Sequence, residues 1–439
     1  MYSNHSPRFL CLLVLAGAFV LRAGAAIGLQ AWLDLTPPRL CLIAGDAEGY
    51  WELGRKLADG NEYSIYDPPR QVLRMPGFPL FLAGAMKLTG ESHLAIRLLL
   101  AAVGTGACGL VYWLGRELFD TDIGLIATAI VAVSPTLIVF SVMFLSETLF
   151  AAALMASLIA FAKLSVSLLP SPLGGEGSGV RGGPSNSTAP HPSPLPKGER
   201  ESVQRNWFAI TAGVLAAVAT LVRPTWLLIA PAFAVWHGLR NGRAGWVQSG
   251  LLIAGLAVTL SPWVIRNYLA TGHPVVTTLW VGPSLYDGLR PSATGDSDMA
   301  FIEQDGVYDR MSEYDADQHY RRAAREFVTA NPGRTLQLAF AKLARFWSPV
   351  PNAAQFGSVW VQIGVLACFV PLVVLAIAGW WHTRRDVSRW LLPLAPIVYF
   401  SLVHAVFVGS LRYRLPAEYP LAVLAAVGGR SLMKTRGTL

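Results

Sequence analysis

Charge is what this sequence has least of: Asp, Glu, Lys and Arg together make up 14% of its 439 residues. Soluble domains carry about a quarter, so water is not the main solvent of this chain. Cysteine is scarce and scattered, at Cys11, Cys41, Cys108 and Cys368, three of them inside apolar runs. That excludes a disulfide framework and a cysteine metal site, and leaves them as small packing residues. No Gly-rich loop follows a strand pattern, so there is no nucleotide-binding signature. No ligand cluster with metal spacing stands out; a divalent ion is compatible with the sequence but not called for by it, and no other cofactor is expected. An internal repeat, the usual mark of an alternating-access fold, is missing as well.

What is present is apolar: 53% of the residues are hydrophobic, gathered in blocks of about 17 to 25, the length that spans a hydrocarbon layer of about 30 Å as helix. The blocks run near 9 to 30, 94 to 115, 122 to 141, 146 to 166, 247 to 265, 359 to 381, 390 to 409 and 415 to 430. The stretch 207 to 238 is too long for one span, and Arg223-Pro224 divides it into two short helices joined by a polar turn. The expectation is an all-α polytopic membrane protein with about ten transmembrane helices. Pro76 to Thr89 is an apolar segment of only about 14 residues, too short to span and typical of an interfacial helix.

Keeping that segment out of the bilayer places Arg8, Arg116, Arg181, Lys197, Arg200, Arg205, Arg240, Arg243, Arg384, Arg385, Arg389, Lys434 and Arg436 on one side. By the positive-inside rule that side is the cytoplasm, and both chain ends lie there. The net charge of +8 is then accounted for by orientation and anionic lipid, with no nucleic-acid partner expected. Ala23-Gly24-Ala25 could mark a signal-peptidase site, but Arg22 interrupts the first apolar run, so an uncleaved anchor is the expectation.

The domain reading follows. Residues 1–166 are a membrane region whose first outer loop covers 31–93; 167–206, rich in Pro, Gly and Ser, are a disordered cytoplasmic insertion that makes the Asn186-Ser187-Thr188 sequon meaningless. Residues 207–266 are membrane helices, 267–358 a large outer loop, and 359–439 the C-terminal membrane helices. In the large loop, Leu336, Phe340, Leu343 and Trp347 recur at helical spacing, as in an amphipathic helix lying on the outer surface.

The candidate chemistry lies on the outer side. Asp46 and Glu48, in Gly45-Asp46-Ala47-Glu48-Gly49-Tyr50-Trp51, start a short helix, where an acid either caps the first turn or serves as general base. Glu147, in Phe144-Leu145-Ser146-Glu147-Thr148, stands at the mouth of a span, where an acid is costly unless solvated or paired, or else caps the helix. Arg74, Arg223 and Arg266 sit at outer helix ends, joined by Arg412 and Arg414 in Leu411-Arg412-Tyr413-Arg414-Leu415-Pro416. Each could merely snorkel. Outer loops should be poor in arginine, however, and guanidinium suits phosphate, so their concentration argues for an anionic ligand.

The order Asp-Ala-Glu-Gly-Tyr, Arg-Met-Pro-Gly, Ser-Glu-Thr-Leu, Arg-Pro-Thr, Pro-Trp-Val-Ile-Arg-Asn and Arg-Tyr-Arg-Leu-Pro resembles glycosyltransferase family 39. That group holds protein mannosyltransferase-like and aminoarabinose transferase-like membrane enzymes of the GT-C superfamily. The resemblance covers almost the whole chain outside the insertion and implies a GT-C-like fold with juxtamembrane helices in the outer loops. It implies transfer of a hexosyl or pentosyl group from a polyprenyl-phosphate donor, with inversion, to an acceptor protein, lipid or glycan outside the cytoplasm, in a cell (inner) membrane. Asp46 matches the family's catalytic acid and Glu147 a second acidic position, where many relatives have Asp. Arg223 and Arg266 fall where relatives place basic residues around the lipid phosphate. Arg74 matches a Lys or Arg position, although Pro76-Gly77 replaces the usual Pro-Pro.

Two other classes compete. A transporter or flippase of a lipid-linked or anionic solute would bind cargo with the same arginines, but its site is expected near the midplane. A non-catalytic assembly subunit would not need both acids and the arginines together.

Overall fold

The computed structural model describes residues 6–35, 45–166, 197–352 and 356–436. Cys41, the Pro/Gly/Ser-rich residues 167–196 and the sequon lie outside them. The described chain is helical throughout, with one isolated antiparallel bridge between Ile65 and Arg70. Its helices are α1 (Pro7–Leu35), α2 (Asp46–Ala58), α3 (Gly77–Thr89), α4 (His93–Leu118), α5 (Thr121–Val133), α6 (Pro135–Phe140), α7 (Glu147–Val166), α8 (Lys197–Val222) and α9 (Ile229–Thr271). There follow α10 (Val281–Gly288), α11 (Phe301–Asp305), α12 (Val307–Arg310), α13 (Glu313–Ala330), α14 (Pro332–Phe346), α15 (Val359–Thr383), α16 (Val387–Val406) and α17 (Leu415–Arg436). Helix resumes at Lys197, ten residues before the boundary expected for the insertion.

All ten expected spans fall on helices, but the helices divide differently. Among the described residues seven are long and apolar enough to cross a membrane by length and composition, Pro224–Thr271 being counted as one run, so the expected ten is not reached by that measure. Block 122 to 141 is split at Ser134, because the residue before Pro135 is pushed out of helical geometry. The carbonyls freed there are not wasted: Arg22, fully buried in α1, donates to the oxygens of Val131 and Ala132 at 3.2 and 3.1 Å. The α9 run of 43 residues is broken at Gly242, whose φ of 59° only glycine adopts freely. Its two arms fold back on each other, with the His237 and Gln248 side chains 2.8 Å apart and Ser249 Oγ donating to the Ala234 oxygen at 2.6 Å. It is a helical hairpin, and its two arms cover two of the blocks expected as spans.

α3 has 13 residues, about 20 Å of helix, short of the length of a span, and lies packed on α2, α4 and α8. Together α2 and α3, the segment 272–352 and the turn 407–414 gather at one end of the bundle. The interior of that bundle is filled by Phe150, Phe161, Trp226 and Phe400, each almost wholly buried. α14 is amphipathic as expected, but its apolar stripe points away from the protein: Leu336 and Phe340 are 60% and 64% exposed, while Leu338, Lys342 and Phe346 are buried. A bare apolar stripe beside a membrane bundle suits a lipid surface.

Candidate active site

Five charged side chains from distant parts of the chain join in one connected network where the bundle meets the α2–α3 layer. Asp46 opens α2, with Arg55 and Lys56 at its far end, so the helix dipole favours each charge where it stands. Its Oδ1 accepts from Arg74 Nη2 at 2.8 Å and its Oδ2 from Arg412 Nη1 at 2.7 Å. Arg412 also donates through Nε to Oε1 of Glu147, and Arg223 Nη1 stands 3.0 Å from the same carboxylate oxygen. The order is Arg74, Asp46, Arg412, Glu147, Arg223: three cations alternating with two anions. Glu147 is only 2% exposed, whereas a third of the Asp46 side chain is open.

Each arm has a local cause. Pro224 ends α8 and leaves Arg223 extended (φ −142°, ψ 122°) at the start of a single 3-10 turn, Pro224–Trp226. Arg412 sits in a second such turn, Leu411–Tyr413, capped by Ser410 Oγ. Glu147 begins α7, where the helix N-terminus favours a negative charge. Arg74 crosses the face of Tyr50, 4.5 Å from its ring centroid, and Tyr50 meets Phe78 of α3 edge-on at 5.0 Å. Tyr50 lies four residues after Asp46, one helical turn on, so both present to the same neighbours. On the far side, Tyr413 lies beneath Arg223 and Arg412, with ring centroids 5.3 and 5.8 Å from the two guanidinium carbons. His404 stacks on Tyr413 at 4.4 Å and 4°, and Phe346 on His404 at 5.7 Å and 16°.

Burial alone would raise the Asp46 carboxyl, but the guanidinium groups of Arg74 and Arg412 outweigh it and hold the acid well below the usual carboxylate range. Burial likewise works against the charge on Arg74 and Arg412, and the carboxylates reverse that, so both are held above the ordinary arginine value. Three buried polar atoms of the network, Glu147 Oε2, Arg74 Nε and Arg223 Nη1, make no hydrogen bond among the described residues, Arg223 Nη1 having only its ion pair with Glu147. Burial without a partner is costly, so these atoms have capacity left for a ligand.

Of the eight expected site residues, Asp46, Arg74, Glu147, Arg223 and Arg412 come together. Glu48 does not: it is exposed at the third position of α2 and caps it, accepting from the Gly45 amide at 3.4 Å. Arg266 is also elsewhere, outside the network. Its Nη1 donates to the Gln71 oxygen at 2.6 Å and its Nη2 to the Tyr63 oxygen at 3.0 Å, so it braces a loop. Arg414 is turned away as well, with Nε on Glu418 Oε1 at 2.8 Å and Nη1 on the Phe346 and Ser348 oxygens at 2.9 and 2.6 Å. Beside that pair an apolar cavity of about 180 Å³ opens between Val131, Leu137, Phe369 and Leu372.

The motifs did not single out Tyr50, His404 or the brace made by Glu313, whose carboxylate accepts from the amides of Gln71 and Val72 at 2.7 and 3.1 Å. The signal for Tyr50 was present in its spacing from Asp46. None existed for Glu313, which meets its loop across some 240 residues. No group of three or more His, Cys, Asp or Glu side chains able to hold a metal occurs among the described residues. Glu147 and Asp46 are bridged instead by a guanidinium.

The sequence model of a family described as dolichyl-phosphate-mannose-protein mannosyltransferase matches residues 69–166. No curated protein matches the chain in sequence. The apo crystal structure of the Archaeoglobus fulgidus oligosaccharyltransferase superposes on 97% of this chain and 51% of its own, with a TM-score of 0.54 and 14% identity. AglB from the same organism, in complex with an inhibitory peptide and a dolichol-phosphate, covers 98% of this chain and 51% of its own at 0.53 and 12% identity. ArnT from Cupriavidus metallidurans bound to undecaprenyl phosphate covers 96% and 78% at 14% identity, but its TM-score of 0.44 carries no argument. The chain thus spans about half the length of the oligosaccharyltransferases it matches.

The described chain is all-helical and has the fold of the archaeal oligosaccharyltransferase, with seven helices among the described residues long and apolar enough to cross a membrane. Over residues 69–166 it resembles the dolichyl-phosphate-mannose-protein mannosyltransferases, in keeping with the resemblance its motifs carry.

Proposed function

We propose that this protein is a membrane glycosyltransferase that moves a hexosyl or pentosyl group from a polyprenyl-phosphate donor to a hydroxyl-bearing acceptor, on the non-cytoplasmic side of an inner membrane. One observation carries the reading: a general-base candidate and three guanidinium groups, from residues 46 to 412 of the chain, share one network at the level where helices end. A lipid-linked phosphate has its charge at that level and its tail in the bilayer. The bound dolichol-phosphate of the AglB structure, a protein of like fold, supports the donor class, as does the family match.

The network holds three positive and two negative charges, so a phosphate would find an excess cation. In the transfer step the acceptor oxygen bonds to the anomeric carbon and the bond from that carbon to the phosphate oxygen breaks. Its electron pair leaves with the polyprenyl phosphate, where the arginines stabilise the added charge. The hydroxyl proton passes to Asp46. An Asp46 gripped by two arginines is a weak base, so the phosphate has a second effect: drawing Arg412 and Arg74 toward itself loosens that grip and strengthens the base. The unpartnered Glu147 Oε2 is suited to accept a sugar hydroxyl.

The test is reconstitution with a radiolabelled polyprenyl-phosphate sugar and a mixed acceptor extract. Transfer by the wild type, reduced about 1000-fold or more in Asp46→Asn, is the expected result. Movement of label across the bilayer without transfer would overturn the proposal in favour of a transporter.

A further inference from the structure

The turn that carries Arg412 is gripped by a helix that takes no part in the charge network. Buried Lys342 of α14 donates Nζ to the Val406 oxygen at the end of α16, at 2.6 Å. Three residues on, Gly409 lies flat on the backbone of Lys342: a Cβ at Gly409 would stand 2.1 Å from the Lys342 oxygen. Its amide donates to the Gly295 oxygen at 3.1 Å. At the other end of the turn Arg414 ties the carbonyl of Phe346, the last residue of α14, and that of Ser348 just after it to Glu418 of α17. Between these ties the Phe346, His404 and Tyr413 rings stack in series and end beneath Arg412.

An arginine side chain gives up its rotamer freedom when fixed, and bridging two carboxylates demands that its backbone be placed to about 0.5 Å. A turn of eight residues between two membrane helices does not supply that by itself. We propose that Gly409 and Arg414 are positioning residues: α14 and the turn 407–414 form a clamp that sets the Arg412 guanidinium between Asp46 and Glu147. Rotational freedom is not the requirement at Gly409; absence of a side chain is, because α14 fills its place.

The inference rests on the transferase reading for its kinetic arm but not for its chemical one. In the full-length protein, Gly409→Ala is expected to raise the rate at which phenylglyoxal labels Arg412, read by mass spectrometry of the peptides, about fivefold or more, and to leave Arg74 unchanged. Unchanged labelling of Arg412 overturns the proposal whether or not transfer is ever seen. In transfer assays, Gly409→Ala should lower kcat/KM for the donor about 10- to 100-fold in the wild-type background and less than about twofold in Arg412→Gln. Equal losses in both backgrounds would show that the clamp acts elsewhere. Absence of transfer by the wild type sinks the function proposed above and leaves the labelling result to decide. Should Gly409→Ala not accumulate, Arg414→Lys keeps the charge, loses the fork, and is read in the same two ways.

Discussion

Arg412 and Glu147 are 265 residues apart in the chain, yet the Nε of one donates to the Oε1 of the other. The same guanidinium reaches Asp46 through Nη1 at 2.7 Å, so a single side chain couples the two acids. Both acids also have an arginine of their own, Arg223 for Glu147 and Arg74 for Asp46. Arg412 is therefore the shared member whose removal affects the most partners.

Replacing it tests that position. Arg412→Gln is expected to reduce sugar transfer about 100- to 1000-fold and to lower stability by about 3 kcal/mol, since Glu147 stays buried with one partner fewer. Initial rates in liposomes and thermal unfolding in detergent read the two effects. A variant that keeps its rate would place Arg412 outside the reaction.

The pH dependence follows from the depressed Asp46 carboxyl. A group whose folded value lies below its ordinary one stays ionised above both, and its contribution to stability is lost only as pH falls from the ordinary range through the depressed value. From pH 7 down to about 5, Asp46 should impose no acid limb on kcat/KM of the free enzyme. In Arg74→Gln the limb should move up toward the ordinary carboxylate range. An identical profile for both proteins would dissociate Arg74 from the ionisation of Asp46.

Lys342 gives the opposite sign. Burial lowers its ammonium to about 8 from 10.5, with Asp287 resisting. Between those values the unfolded chain binds a proton that the folded one does not, so stability from this group rises with pH across that window. Unfolding midpoints at pH 8 and 10 should show the wild type gaining on Lys342→Met. A constant difference between the two proteins would mean that the amine keeps its ordinary affinity for protons.

Arg266 and Glu313 should behave as a pair. Both hold the segment 62–72, one by its carbonyls and the other by its amides. Arg266→Lys, with one ammonium in place of a fork, and Glu313→Gln should each raise amide hydrogen exchange at Ile65 and Arg70 about tenfold. Unaltered exchange would show that the segment holds itself without them.

The helices were legible because their cause is local: apolar blocks of spanning length, and a break at Pro224; the break at Pro135 was passed over, and 122 to 141 was read as one run. The helical hairpin at Gly242 was legible as two spans, though not as one continuous run. Asp46, Glu147, Arg74, Arg223 and Arg412 could be read because charge beside lipid needs a reason. The same rule also selected Arg266 and Arg414, which stand outside the network, since it identifies a costly charge without saying whether carbonyl oxygens or a ligand will satisfy it. The α14 stripe shows a related ambiguity. Period 3.6 marks an apolar face, but whether that face meets protein or lipid depends on Lys342 finding Val406 and Asp287, a contact between distant segments.

The Phe346, His404 and Tyr413 rings have a consequence for direction. Stacked under Arg223 and Arg412 with ring spacings of 4.4 and 5.7 Å, they form a floor with little permanent dipole to reorient toward the charges. The field of the excess cation is not relaxed from below and is focused upward, toward the open third of Asp46. An anion drawn to this network would therefore enter and leave by that one open side.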